Sequence, residues 1–323
     1  MLIHFVALSL ASAAPQSQPA TDSIRPAAEA VAPAYVPHRV YDARRNRFTD
    51  FEAMVADLTY ADVVLLGEQH DDAATHRLET ATLEGLARRR SNVVLTLEMF
   101  ERDVQGPLSD YLAGKIAEPD FLAGTRPWPR YRTDYRPLVE FARLWKWPVV
   151  AGNVPRRFAS LVSRAGLAGL DTLATADRAL VARDLDCPHD DYYARFAKTI
   201  GDMPTHSGGS SPQTPEEKRA TIERVYQAQC IKDETMGESI AAAFAAAPPR
   251  ALVVHVNGAF HSDYRFGTAE RAQRRLRGKR VAVVSFVPVP DLDRAEGKPQ
   301  RKLGDYVVFT LAPPKAPAAP AGR

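Results

Sequence analysis

Short apolar runs, each closed abruptly by glycine or a polar side chain, recur at residues 62–66, 92–97, 148–151, 251–256, 280–287 and 306–311. They are rich in Val and Leu, and their shortness and continuity predict strands buried on both faces. Stretches of helical character separate them, at 75–90, 135–145, 156–165, 222–247 and 268–276. Strand and helix in alternation predict an α/β fold, a mostly parallel sheet flanked by helices on both faces. Residues 102–136 and 166–215 are too long for simple crossovers, so they are expected as helical and loop insertions above the C-terminal edge of the strands. The pattern places a single domain at 38–311. An Ala/Pro/Ser-rich leader at 15–37 precedes it, a polar loop at 206–215 interrupts it, and an extended Pro/Ala tail at 312–323 follows it.

Composition narrows the class. With 45% hydrophobic and 25% charged residues among 323, wholesale disorder is excluded. The balance of 42 Lys+Arg against 39 Asp+Glu leaves +3, too small to argue for nucleic acid. The basic clusters at 88–90 and 271–280 read as solvated helix faces. Residues 2–14 are almost wholly apolar and end in Ala11, Ser12, Ala13 and Ala14. That run is shorter than the ~20 residues needed to span a bilayer and matches the apolar region and cleavage site of a secretory signal. Residues 1–14 are therefore expected to be a signal peptide and the protein exported, to the periplasm, with no transmembrane segment. No Cys follows the run, so a lipid anchor has no acceptor there. Export favours a Cys187–Cys230 disulfide over two buried thiols.

In an open α/β sheet, ligands bind beyond the carboxyl ends of the strands. The first apolar run is followed by Gly67, Glu68, Gln69, His70 and Asp71, and the second ends at Glu98. The third leads into Gly152, Asn153, Val154, Pro155 and Arg156, the fourth into Asn257, Gly258 and, soon after, His261. Singly, each side chain has an ordinary structural reading. Asp71 or Asp72 suits a helix N-cap, and Asn153 suits a turn. His255, inside a strand, suits a hydrogen-bonded core position, whereas His76 faces either the site or water. Together, Glu68, His70, Glu98, Asn153, Arg156 and His261 converge on one edge. Carboxylates beside imidazoles make either a divalent-metal site, with His70, Glu98 and His261 as ligands, or an acid/base pair. The common nucleotide and serine-hydrolase motifs are absent from the sequence, as is HExxH.

The first insertion interleaves rings and guanidinium groups: Trp128, Arg130, Tyr131, Arg132, Tyr135 and Arg136. That mixture suits a flat, anionic, apolar ligand such as a porphyrin with its propionates, or a loop packing on its own rings. Tyrosine oxygen is an axial ligand for haem iron in some proteins.

The stretches VVLLGEQHD (63–71), VVLTLEMF (93–100), VVAGNVPRR (149–157), QAQCIKDETM (227–236) and VNGAFH (256–261) resemble those of the ChaN-like haem-binding uptake proteins of the TIKI superfamily. The resemblance covers roughly residues 40–290, and Glu68, His70, Glu98 and His261 match its shared motifs. It implies an α/β fold and an exported iron-acquisition protein that binds haem. In some members haem sits as a face-to-face pair across a homodimer, with tyrosine on iron. Other branches resemble metal-dependent proteases and erythromycin-esterase-like hydrolases that use the Glu/His constellation.

Two functions follow as expectations. In the first the chain binds haem, with Tyr131 or Tyr135 on iron, Trp128 against the ring, and Arg130, Arg132 or Arg136 on the propionates. In the second it is a metal-dependent hydrolase. Glu68 or Glu98 is then the general base, His70 and His261 hold metal or charge, and Asn153 or Arg156 steadies an oxyanion.

Overall fold

The computed structural model describes residues 35–202 and 214–312. The expected signal peptide, most of the leader, most of the 206–215 loop and all but the first residue of the tail lie outside the described residues. Eight strands form one sheet: β1 (His38–Asp42), β2 (Arg47–Thr49), β3 (Val63–Glu68), β4 (Val93–Glu101), β5 (Val149–Asn153), β6 (Leu252–Gly258), β7 (Val281–Val289) and β8 (Tyr306–Leu311). Their order is β2-β1-β8-β7-β3-β6-β4-β5. From β8 to β5 all neighbours are parallel, as the buried Val/Leu runs predict. Only β1 is antiparallel, to both β2 and β8.

The helices are α1 (Phe51–Leu58), α2 (Ala73–Ala87), α3 (Gln105–Leu112), α4 (Glu118–Thr125), α5 (Arg136–Leu144), α6 (Arg156–Ala165), α7 (Thr175–Arg178), α8 (Asp191–Asp202), α9 (Pro215–Ala246), α10 (Gly267–Arg275) and α11 (Gly297–Gln300). Period-two alternation sends the side chains of each central strand to opposite layers. Val64, Leu66, Leu95, Val254 and Val284 meet Leu83 of α2 and Leu138 of α5 on one face. On the other face Val63, Leu65, Val253 and Val283 pack on Ile240 of α9 and Ala272 of α10. Both faces are therefore covered.

Caps decide where the two longest helices begin. Asp72 accepts from the Ala74 amide (3.0 Å) and from the hydroxyls of Thr75 (2.7 Å) and Thr310 (2.9 Å), which starts α2 ahead of the expected boundary. Thr214 and Glu217 form a reciprocal capping box with Pro215 at the first turn, so α9 begins at 215 rather than 222. Cys187 and Cys230 are bonded, which ties the second insertion to α9.

At the β5 margin a side chain stands in for the next strand. Gln105 accepts from the Ala151 amide at 2.7 Å and donates to the Val149 carbonyl at 3.0 Å.

Candidate functional site: a cavity at the C-terminal edge of the sheet

Four parallel strands end around one cavity of about 590 Å³. Glu68, His70 and Gly258 meet because β3 and β6 run in register, with Glu68 opposite Gly258. The β4 register with β5 slips between Leu97 and Glu101, and Glu98 there accepts the Gly258 amide at 2.7 Å. Asn153 ends β5 and donates to the Glu98 carbonyl (3.1 Å) while its own oxygen accepts from the Val154 amide (2.8 Å). Arg156, at the start of α6, and Trp128 complete this wall. Glu68, His70, Glu98, Asn153, Arg156 and His261, expected at one edge, line this cavity, and Trp128 of the insertion joins them.

Tyr131, Tyr135, Arg130, Arg132 and Arg136 lie outside the cavity lining. A π-helical turn, Tyr131–Tyr135, turns both rings inward. Tyr131 is buried against Phe100 and Phe121 in the main core. Tyr135 is buried beside His76, and its hydroxyl donates to Glu68 Oε1 at 2.8 Å. Burial pushes both phenols well above their ordinary value, and the Glu68 carboxylate adds to the effect at Tyr135. Neither presents its oxygen to the cavity. Arg132 is exposed outside the cavity lining, where its charge acts on Glu118. Tyr131 and Tyr135 thus pack on protein, while Arg130 and Arg136 pair with Asp134 and Glu118.

Two charged chains run through the site. In the first, His70 donates from Nδ1 to Glu68 Oε1 at 2.6 Å, and nearly half of its side chain is exposed (47%). Partial burial opposes protonation of His70, but the Glu68 bond and the Glu98 and Glu68 charges outweigh it and raise its pKa. Trp128 meets this ring edge-on, centroids 5.0 Å apart. In the second, His261 donates from Nδ1 to Asp233 Oδ1 (2.7 Å) and lies 3.4 Å from Glu98 Oε1 through Nε2. Burial disfavours the imidazolium, yet Glu98 and Asp233 raise its pKa to about 10. Glu98 is reciprocally held well below the usual carboxylate range, by His261 and then by His70, against its burial. Among the described residues the ligand atoms that converge are those of Glu68, His76 and Glu79, all within 4.8 Å of one another. The expected set of His70, Glu98 and His261 does not form this cluster.

Several participants escaped sequence reasoning. Asp233 also accepts from Thr268 (2.9 Å) and Tyr192 (2.8 Å), and it sits in the QAQCIKDETM stretch of α9. A charged residue on the buried face of a helix was the available signal. Lys232 of α9, Arg195 and Phe196 of α8, and Phe260 line the same cavity. Arg195 lies over Phe260 at 4.6 Å. His255 takes the expected core role: it shares a 2.7 Å hydrogen bond with Thr96, and burial lowers its pKa to about 4.

Residues 54–272 match the family described as haem-binding uptake, Tiki superfamily, ChaN. The chain belongs to this family. Among solved structures, ChaN of Campylobacter jejuni, described with cofacially bound haem, superposes with a TM-score of 0.61 at 18% identity, over 85% of this chain and 97% of that one. Protein RETICULATA-RELATED 5, chloroplastic, of Arabidopsis thaliana is 24% identical over 268 residues, 80% of this chain and 35% of that protein. The ChaN-family chain thus spans about a third of the length of that curated relative.

Proposed function

We propose that this ChaN-family chain binds haem in the cavity at the strand ends and serves haem uptake outside the cytoplasm. The observation that carries the reading is the composition of the cavity wall. Trp128, Phe196, Ile200 and Phe260 offer apolar surface, Arg156, Arg195 and Lys232 offer positive charge for propionates, and His70 offers a half-exposed imidazole. A cavity of about 590 Å³ is of the size that holds a cofactor. The donor set fits haem. When bound, the iron would be held by His70, whose half-exposed imidazole lines the cavity. Glu68 on Nδ1 fixes that ring's tautomer and orientation and raises its basicity. A second copy facing the same opening would account for a cofacial pair in a homodimer. Export is supported by the Cys187–Cys230 bond, which belongs to an oxidising compartment. Among the described residues no helix is long and apolar enough to cross a membrane.

The second reading, metal-dependent hydrolysis, rests on Glu98 and His261 at the cavity wall. A general base works best with a pKa near the working pH, and Glu98 lies far below it, so haem binding has the stronger support.

Haemin titration followed by absorbance decides the matter. Wild type should give a saturable Soret shift at micromolar haemin, and so should the Tyr131→Phe/Tyr135→Phe double variant. His70→Ala should bind at least about tenfold more weakly, a loss of ~1.4 kcal/mol. No saturable shift in wild type refutes haem binding. Loss in the tyrosine variant alone returns the iron to a phenol.

A further inference from the structure

Behind the His70 wall, three buried side chains meet without access to solvent. Glu68 ends β3, and His76 and Glu79 project inward from one face of α2 at a spacing of three residues. His76 Nδ1 lies 3.3 Å from Glu68 Oε2 and 3.1 Å from Glu79 Oε2. Its other nitrogen, Nε2, lies 3.2 Å from the His70 carbonyl and 3.5 Å from Asp134 Oδ2. Asp134 is already neutralised by Arg130 Nε at 2.5 Å. Glu68 Oε2 and Glu79 Oε1 are fully buried and have no hydrogen-bond partner.

The Nε2 contacts fix the tautomer. A carbonyl can only accept, so Nε2 carries hydrogen and Nδ1 faces the two glutamates. One arrangement makes His76 an imidazolium whose single Nδ1 proton serves both carboxylates. Charge-assisted bonds of that kind run about 2.7–2.9 Å, and both separations here are longer. The other makes Nδ1 a lone-pair donor. Ligand atoms about 2.0–2.2 Å from a common metal lie about 3.0–3.4 Å apart on adjacent positions, which matches both distances. The backbone carbonyl and carboxylate on Nε2 are the outer-shell partners that metal-bound histidines keep.

We propose that Glu68, His76 and Glu79 form a second site, distinct from the cavity, for a divalent transition-metal ion of the Zn²⁺ or Mn²⁺ class. One imidazole nitrogen with carboxylate oxygens suits such ions. The two buried glutamates, each with an oxygen that lacks a hydrogen-bond partner, then share a cation. Glu68 links the two sites, because Oε1 holds His70 and Tyr135 while Oε2 faces the metal position. The assignment stands whether or not the cavity takes haem.

The test uses the full chain and Zn²⁺, by equilibrium dialysis with elemental analysis. Wild type and Glu98→Gln should each retain one Zn²⁺ per chain. Glu79→Gln and His76→Gln, checked for folding by circular dichroism, should bind roughly 100-fold more weakly or worse, since loss of a mere outer-shell partner costs about 10–100-fold. X-ray absorption of Zn²⁺-loaded wild type needs no variant to fold and should show a single imidazole among oxygen ligands. No retained zinc, loss in Glu98→Gln with retention in Glu79→Gln, or two imidazoles on the metal (the cavity histidines) would each overturn the assignment.

Discussion

Replacing Gly258 by alanine places a methyl group where the His70 ring now lies. An ideal Cβ would stand 2.7 Å from both Cε1 and Nε2 of that ring. Backbone geometry at 258 (φ −56°, ψ 135°) suits alanine, so no conformational penalty arises. The Gly258 amide is pinned to Glu98 Oε2 and the strand is in register with β3, so the backbone has little room to retreat. The half-exposed ring is the part free to move, and moving it breaks the bond from Nδ1 to Glu68. A hydrogen bond to a charged group is worth ~1.5–3 kcal/mol when buried. With His70 47% exposed, solvent screening brings that to about 1 kcal/mol. In a domain of this size the melting temperature should fall by only about 2 °C. Haemin affinity should fall about tenfold or more, because the nitrogen proposed to hold the iron is displaced. By NMR titration the His70 pKa should drop toward its ordinary value. Wild-type haemin affinity with an unmoved His70 resonance would refute the ligand assignment. A loss of several kcal/mol in urea unfolding would show that the backbone, not the ring, gave way.

Asp233→Asn replaces an acceptor of three donors by an amide, leaves the buried His261 charge with Glu98 alone, and should cost about 3 kcal/mol in urea unfolding. In wild type His261 holds its proton up to about pH 10, against an ordinary unfolded value of ~6.5. Its contribution is therefore complete below about pH 6.5 and declines as pH rises toward 10. The urea midpoint should fall over that window, and the fall should flatten in Asp233→Asn. Removing the Cys187–Cys230 bond opens a loop of 43 residues and should cost about 4 kcal/mol, measured by unfolding of a Cys187→Ser/Cys230→Ser variant. An unchanged midpoint would mean that the bond does not form.

The six Val/Leu runs were legible because strands buried on both faces cannot hide in composition, and their last residues located the cavity. β1 and β2 were not legible. They are short and carry His38, Arg39 and Arg47, and only β2 lies at the sheet edge. The aromatic insertion was ambiguous for a physical reason. Rings and arginines in alternation look the same whether the rings clasp a ligand or fold inward, and the π-helical turn at 131–135 chose the second. The Glu68–His76–Glu79 cluster was half visible. A histidine and a glutamate three apart on a helix share a face, but nothing in the sequence says that Glu68 of another element meets them.

Gln105 blunts the β5 edge of the sheet. Its carboxamide occupies the ladder positions at the outer strand that another chain would need for recruitment. The opposite margin is guarded by brevity and charge, since Arg47–Thr49 is three residues long and opens on an arginine. Neither margin therefore presents a long run of free backbone groups on which a further strand could grow.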